Sequence, residues 1–325
     1  MDIDIYFNTN YGKLYEKIEN GVCKEFKLEC DYGIVRNIFI QREIPIASKY
    51  NDIVTPYGYG GPIVIADSIN DRKQLINKYH EKFSQYCRDN NIVSEFVRFH
   101  PIINNVEGFD SIYKVENIRK TVGTNLKDYD DPVQSEFSKS CRKNIRRALK
   151  QGITYRVIES PNNISEFKKI YYSTMDRNKA TDYYYFDDDY FENCLKYFKS
   201  NIILVEAIYD DKVIAAGLYF VYNKIIHIHL SGTLSEYLHL SPAYILRYAV
   251  TLWGKEKGYE LIHHGGGRSN SPEDRLYRFK KQFGKNTEFD FYIGKKIWNM
   301  EIYKKLCQNA GVDDSVEFFP AYRWN

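Results

Sequence analysis

The sequence predicts a mixed α/β (α+β) chain of two tandem domains, each a mixed sheet flanked by helices, divided into 1–130 and 131–325. Three observations carry this expectation. Residues 201–232 read as three antiparallel strands joined by tight turns, and a helix and a further strand follow. The first third shows a looser version of the same order, which suggests a tandem repeat of one fold. Between the two lies the polar stretch Asn125–Ser135, containing Asp130-Asp131-Pro132, a composition typical of a boundary.

In chain order, Val22–Glu29 and Gly33–Ile40 read as paired strands. Tyr57-Gly58-Tyr59-Gly60-Gly61-Pro62 reads as an irregular loop, Asn70–Asn91 as a long helix, and Val93–His100 as a strand closed by Pro101. After the boundary, helices are expected over Glu136–Gln151, Asn163–Lys179 and Asp187–Ser200. The meander is Ile202–Tyr209, Val213–Tyr222 and Ile225–Ser231, turning at Asp210-Asp211-Lys212 and Asn223-Lys224. Helix Pro242–Lys257 has proline in its first turn and Gly258 at its end. The strand Tyr259–His264, the strand Thr287–Ile293 and a helix near Ile297–Gln308 complete the chain.

The bulk composition excludes several classes. The chain has 325 residues, with 43% hydrophobic and 27% charged, which suffices for a buried core. A net charge of +3 is too small to imply nucleic-acid binding by itself. The six cysteines lack CxxC spacing, which argues against a zinc module or a disulfide framework. The acidic start, Met1-Asp2-Ile3-Asp4-Ile5, lacks the basic and apolar regions of a signal peptide, and no apolar run reaches about 18 residues. The expectation is a cytoplasmic protein without a transmembrane segment, in which peripheral membrane contact stays open.

The segment most informative about chemistry runs from Leu261 through His263-His264-Gly265-Gly266-Gly267-Arg268 to Phe283. Triple glycine appears where a chain bends sharply or approaches a ligand closely. Ser271, Pro272 and Asp274 read as a helix start with a capping box. In that helix Leu276, Phe279 and Phe283 form one stripe, and Lys280 lies about 40° from Leu276 on the same side. A lysine on a packed face needs a partner or a cavity. Lys280 either reaches a phosphate or developing oxyanion, or snorkels at the edge of the stripe. His264, Gly265, Gly266, Gly267 and Arg268 are the candidate binding residues beside it.

Strand alternation puts His227 and His229 on one face and Ile226 and Ile228 on the other. The two histidines are candidate general bases or hydrogen-bonding groups; no carboxylate or cysteine has matching spacing, so no metal is expected. A solvated sheet face is the plain alternative. Helix Ser138–Gln151 concentrates cations, with Arg142 and Arg146 flanking its buried side as candidate phosphate ligands. Tyr57 and Tyr59 offer rings for stacking, and Arg98 and His100 alternate with Phe99 toward the same side.

Together the Tyr57–Pro62 loop, Phe96-Val97-Arg98-Phe99-His100-Pro101, Arg142–Ala148 with Gly152, and His264–Gly267 through Phe279-Lys280 resemble the Fem-type transferases that build peptidoglycan cross-bridges, within the wider GNAT-like acyltransferases. The resemblance covers nearly the whole chain in order. It implies two tandem GNAT-like domains and amide-bond formation on an acceptor amine, with Lys280 at the family's functional lysine position. It also implies aminoacyl transfer from aminoacyl-tRNA to a peptidoglycan or nucleotide-sugar precursor, so the partners would be an anionic small-molecule or glycopeptide acceptor and tRNA. The chain lacks the long helical arm many members insert, and it lacks the Arg/Gln-x-x-Gly-x-Gly/Ala loop of acetyl-CoA enzymes. The donor therefore stays open between aminoacyl-tRNA and acetyl-CoA, with no tightly bound cofactor expected. A non-catalytic GNAT-like protein that binds RNA or a glycan is the third reading.

Overall fold

A computed structural model describes residues 3–313 and 316–324. Its elements in chain order are α1 (Thr9–Lys13), α2 (Glu16–Glu19), β1 (Val22–Cys30), β2 (Gly33–Glu43), β3 (Asn51–Val54), β4 (Ile63–Ile65), α3 (Ile69–Asp89), β5 (Ile92–Arg98) and β6 (Lys114–Asn125). They continue as α4 (Pro132–Glu136), α5 (Lys139–Lys150), β7 (Thr154–Glu159), α6 (Ser165–Arg177), α7 (Asp188–Phe198), β8 (Ile202–Tyr209), β9 (Lys212–Tyr222) and β10 (Ile225–Thr233). The last are α8 (Pro242–Glu256), β11 (Leu261–Gly266), α9 (Arg275–Lys281), β12 (Glu288–Ile297) and α10 (Met300–Asn309).

The chain divides into two compact units, residues 1–118 with 290–325, and residues 119–289. The sequence placed the break near 130 and kept the C-terminal stretch with the second domain. In the structure β12 lies antiparallel to β5, from Ile293 against Arg98 to Ile297 against Ser94. Leu306 of α10 and Tyr322 join Ile44 and Val93 in a small buried cluster. Such pairing across some 200 residues of sequence leaves no local signal. The helix expected over Glu136–Gln151 is interrupted, because Ser138 turns out of α4 and accepts a hydrogen bond from Cys141 N to begin α5.

In the first unit the strand order is β1-β2-β3-β5-β12, with β4 on β2. β3 and β5 are parallel, as the intervening α3 requires. Leu75, Ile76, Tyr79 and Phe83 of α3 fill the core against Val35, Phe39 and Ile53. One carboxylate sits inside this layer. Glu95, 2% exposed, accepts hydrogen bonds from Asn37 (3.2 Å), Tyr113 (3.1 Å) and Trp298 (3.1 Å). Burial outweighs these bonds and pushes its pKa up to about 7. The folded state therefore holds this proton between about pH 4.5 and 7 while the unfolded chain releases it. The unit should lose about 3 kcal/mol of stability from this group as pH rises through that window. Denaturant unfolding of Glu95→Gln, compared with wild type at several pH values, should show that dependence removed.

In the second unit the order is β6-β11-β10-β9-β8-β7. The meander β8-β9-β10 is antiparallel, as the turn residues imply, and Asp210, Asp211, Asn223 and Lys224 all have positive φ. Helix α8 crosses over so that β10 and β11 run parallel. One face of this sheet carries Val205, Tyr219, Val221, Ile226 and Ile262 against α5 and α8. The other face meets α6 and α7: Phe220 packs on Phe198 of α7, and Thr174 of α6 accepts a hydrogen bond from Thr233 N at 2.8 Å.

Candidate active site

β10 and β11 are paired only from Ile225 against Leu261 to His227 against His263. Beyond that point β10 continues to Thr233 on β9, and β11 continues to Gly266 on β6. A notch therefore opens in the sheet of the second unit between residues 228–233 and 264–266. Register shifts occur on both sides of it, at Ile228/Leu230 and at His263/Gly265. The shift in β11 turns His264 toward the α8 face, where its ring lies 5.8 Å from that of Phe283.

The glycine run has a separate reason at each position. Gly265 has φ +73°, a left-handed conformation that disfavours side chains. A Cβ on Gly267 would lie 2.6 Å from Asp274 Oδ1. Asp274 is the residue that organises the turn. It is the N-cap of α9, accepting from Tyr277 N at 2.8 Å, and it also accepts from Arg268 N (2.8 Å) and Ser269 N (2.9 Å). These backbone bonds hold its carboxyl down at about 2. The expected capping residue was Ser271; the helix begins four residues later.

Lys280 points inward from α9, and its Nζ donates to Gly266 O at 2.7 Å. The stripe around it is shorter than the sequence suggested. Phe279 and Phe283 pack against each other and against Tyr244 of α8, while Leu276 is 38% exposed. Burial first, then Arg247 and Arg119, against the opposing Asp274, together lower the Lys280 pKa to about 7. Arg119 donates to Gly267 O at 2.7 Å, so two cations hold successive glycine carbonyls.

His264 is 1% exposed, and its Nε2 lies 2.8 Å from Thr124 Oγ1. Thr124 donates its own proton to Phe283 O at 2.6 Å, which leaves it to accept from His264 and assigns the proton to Nε2. Nδ1 is then a buried acceptor, without a partner among the described residues. Burial, then Arg247, then Lys280 hold the His264 pKa well below the usual range, so the ring is neutral.

The two candidate bases sit elsewhere. His227 pairs with Phe220 across the ladder and so shares the face that α6 and α7 cover. His229 Nε2 lies 2.6 Å from Tyr190 Oη, in an aromatic cluster with Phe220 and Phe186. Burial, with His227 adding to it, pushes the His229 pKa down to about 3, which makes it a poor proton acceptor at neutral pH. Their alternation with Ile226 and Ile228 therefore separates them from Lys280, on opposite faces of one sheet. The solvated-face alternative does not hold for His227 either, since it is 1% exposed.

The remaining candidates fall into two groups. Arg142 donates to Gln134 O at 3.0 Å and to Phe137 O, which gives it to the break between α4 and α5 rather than to a ligand. Arg146 and Arg268 are exposed. In the first unit, Tyr59 and His100 are buried with Tyr6, with ring centroids 5.3 Å (Tyr6–Tyr59) and 5.6 Å (Tyr6–His100) apart. Tyr57 O accepts from Tyr11 at 2.9 Å. His100 Nε2 lies 3.6 Å from Asp4, and Arg98 donates to Thr55 O at 3.0 Å. Tyr59 and His100 thus belong to an aromatic cluster of the first unit, while the Arg98 side chain is held on Thr55 and over the Phe96 ring.

Arg247 escaped the sequence reading. It stands on α8, 6% exposed, with Nη1 donating to Tyr219 Oη and its guanidinium 5.4 Å from that ring. A signal was available: Arg247 and Thr251 are a polar i, i+4 pair in the otherwise apolar run Ile245–Leu252.

Residues 135–281 match the family model described as an acetyltransferase (GNAT) domain. The UDP-N-acetylmuramoylpentapeptide-lysine N(6)-alanyltransferase of Weissella viridescens is 23% identical over 176 residues, which are 53% of this chain. The matched segment spans about half, 51%, of that relative. Among solved structures, that of FemX superposes with a TM-score of 0.71 at 13% identity, over 93% of this chain and 94% of the other. The C-terminal domain of a putative lysylphosphatidylglycerol synthetase from Agrobacterium fabrum superposes at 0.58 and 13% identity, over 95% and 94%. With a GNAT match over 135–281 and the FemX fold over nearly its whole length, the chain resembles the Fem-type transferases of the GNAT-like superfamily.

Proposed function

We propose that the chain is an acyltransferase that forms an amide bond on an acceptor amine, by Fem-like aminoacyl transfer to a peptidoglycan or nucleotide-sugar precursor. The observation that carries the reading is Lys280, whose ammonium is turned under the Gly266 carbonyl at the sheet notch, beside Arg247. In such a transfer the acceptor nitrogen attacks the acyl carbonyl, and an oxyanion develops as the new C–N bond forms. The ester C–O bond then breaks, and the departing oxygen takes a proton. A lysine with pKa near 7 suits both demands: charged, it stabilises the oxyanion, and it can pass its proton to the leaving oxygen. The proton lost by the attacking amine replaces the one that Lys280 gives to the departing oxygen, so the lysine ends the cycle charged; His227 and His229 face the other side of the sheet and take no part.

Aminoacyl-tRNA is the favoured donor over acetyl-CoA. The connection from β10 to α8 is a 3-10 turn, Ser235–Leu240, and Leu234 N, Tyr237 N and Ser241 N already donate to backbone carbonyls. These three amides are therefore not available to cradle a pyrophosphate. The test is incubation of the protein with alanyl-tRNA and UDP-N-acetylmuramoyl pentapeptide, followed by mass analysis. A product heavier by one alanyl residue is expected, and calorimetric titration with coenzyme A should give no specific heat. Acetyl transfer from acetyl-CoA without aminoacyl transfer would overturn the donor assignment.

A further inference from the structure

Arg247 presents an electrostatic problem that the fold of the second unit does not solve. A buried guanidinium is ordinarily paired with a carboxylate, because desolvating an unpaired charge is costly. Among the described residues its partners are neutral oxygens, Tyr219 Oη and Ser231 Oγ (3.5 Å), both on the same Nη1. Its Nε is buried without a partner among the described residues. Two further cations stand at the β11 side of the notch, Lys280 on Gly266 O and Arg119 on Gly267 O, and the Arg119 Nε is likewise buried without a partner among the described residues. The carboxylate that acts on Lys280, Asp274, is already engaged by three backbone amides. Three cations and one committed carboxylate leave a local excess of positive charge at the notch.

We propose that Arg247 is an anion-binding residue that takes a phosphoryl oxygen of the substrate through its free Nε, with Lys280 as the second ligand of the same phosphate. Two phosphoryl sources share this chemistry, the phosphodiester of an RNA donor and the pyrophosphate of a nucleotide-sugar acceptor. A phosphoryl group is favoured over a carboxylate because its tetrahedral non-bridging oxygens can accept from cations on two sides of the notch, and the pyrophosphate of a nucleotide sugar brings two negative charges to them. The neutral His264 beside them leaves this charge excess unchanged, and its free Nδ1 accepts a hydrogen bond from a ligand N–H or O–H. The inference deepens the acyl-transfer reading by naming the group that occupies the Lys280 pocket. Its test involves no turnover, so it stands or fails separately from the transfer assay.

The full-length protein is labelled by reductive methylation with formaldehyde, at constant ionic strength, in the presence of inorganic phosphate, acetate or chloride. The modification of each lysine is followed by peptide mass spectrometry. Phosphate at ten times its dissociation constant should slow labelling of Lys280 by about tenfold, the ratio set by occupancy. Labelling of Lys139 and Lys150 on the exposed side of α5 should not change. Arg247→Gln should abolish the protection, and Arg247→Lys should retain part of it. Equal labelling of Lys280 with and without phosphate overturns the proposal, as does protection that survives in Arg247→Gln. Acetate protecting as well as phosphate overturns the choice of anion. Should Arg247→Gln fail to fold, wild-type protection and the Arg247→Lys variant decide the matter.

Discussion

Replacing Lys280 by Ala is expected to lower the rate of aminoacyl transfer by on the order of 10²–10³-fold, the loss typical of removing one oxyanion donor. The unfolding free energy should change by less than about 1 kcal/mol, since the lost ammonium bond to Gly266 O is offset by relief of repulsion from Arg247 and Arg119. Lys280→Met, which keeps the aliphatic stem, separates packing from charge: it should be as inactive as the Ala variant. The pH profile gives a second readout. With a pKa of about 7, Lys280 is protonated below that pH and neutral above it. If it donates the proton to the leaving oxygen, transfer falls as pH rises through about 7, and Lys280→Arg loses that limb because guanidinium stays charged. The groups that set this pKa are Arg247 on α8, Arg119 on β6 and Asp274 at the start of α9. Retained transfer in Lys280→Met would remove the lysine from the mechanism.

The largest stability effect is expected at Phe283. Its ring is fully buried and meets Phe137, Tyr244, Phe279 and His264 at centroid distances of 5.1–5.8 Å. Phe283→Ala should cost about 3–5 kcal/mol in denaturant unfolding, from lost burial and the cavity left behind. Its backbone carbonyl also accepts the Thr124 hydroxyl that fixes the His264 tautomer. The variant should therefore lose transfer as well as stability. Phe283→Leu, which keeps apolar volume, should recover most of both. A cost below about 1 kcal/mol for the Ala variant would mean that the segment just after α9 is not anchored in the core, and the placement of Lys280 would lose that support.

Much of the site's local chemistry was legible in the sequence. The period-2 pattern and turn residues of the meander, the end of α8 at Gly258, and the inward direction of Lys280 follow from strand and helix geometry alone. The glycine run also announced itself, although only the structure assigns Gly265 to its positive φ and Gly267 to contact with Asp274. Short-range stereochemistry determines such features, and the residues involved lie within a few positions of one another.

What the sequence left open depends on partners far apart in the chain. His227 and His229 were candidate bases for the reaction at Lys280, yet a strand residue has two sheet faces to choose from. Phe220 and Tyr190 take the histidines to one face, and Tyr244 and Phe283 take α9 to the other. Arg142 looked like a phosphate ligand until two carbonyls of the preceding turn claimed it. Arg247 stayed unmarked in the sequence, because Tyr219 and Ser231, its polar partners, lie on strands far from it in the chain. The return of β12 to β5 belongs to the same class. By itself the sequence determined the meander β8-β9-β10, the long helices α3 and α8, and which way Lys280 faces. Only the tertiary structure decided which face each strand residue shares and which buried charges lack a partner, because burial and pairing are properties of the assembled layers.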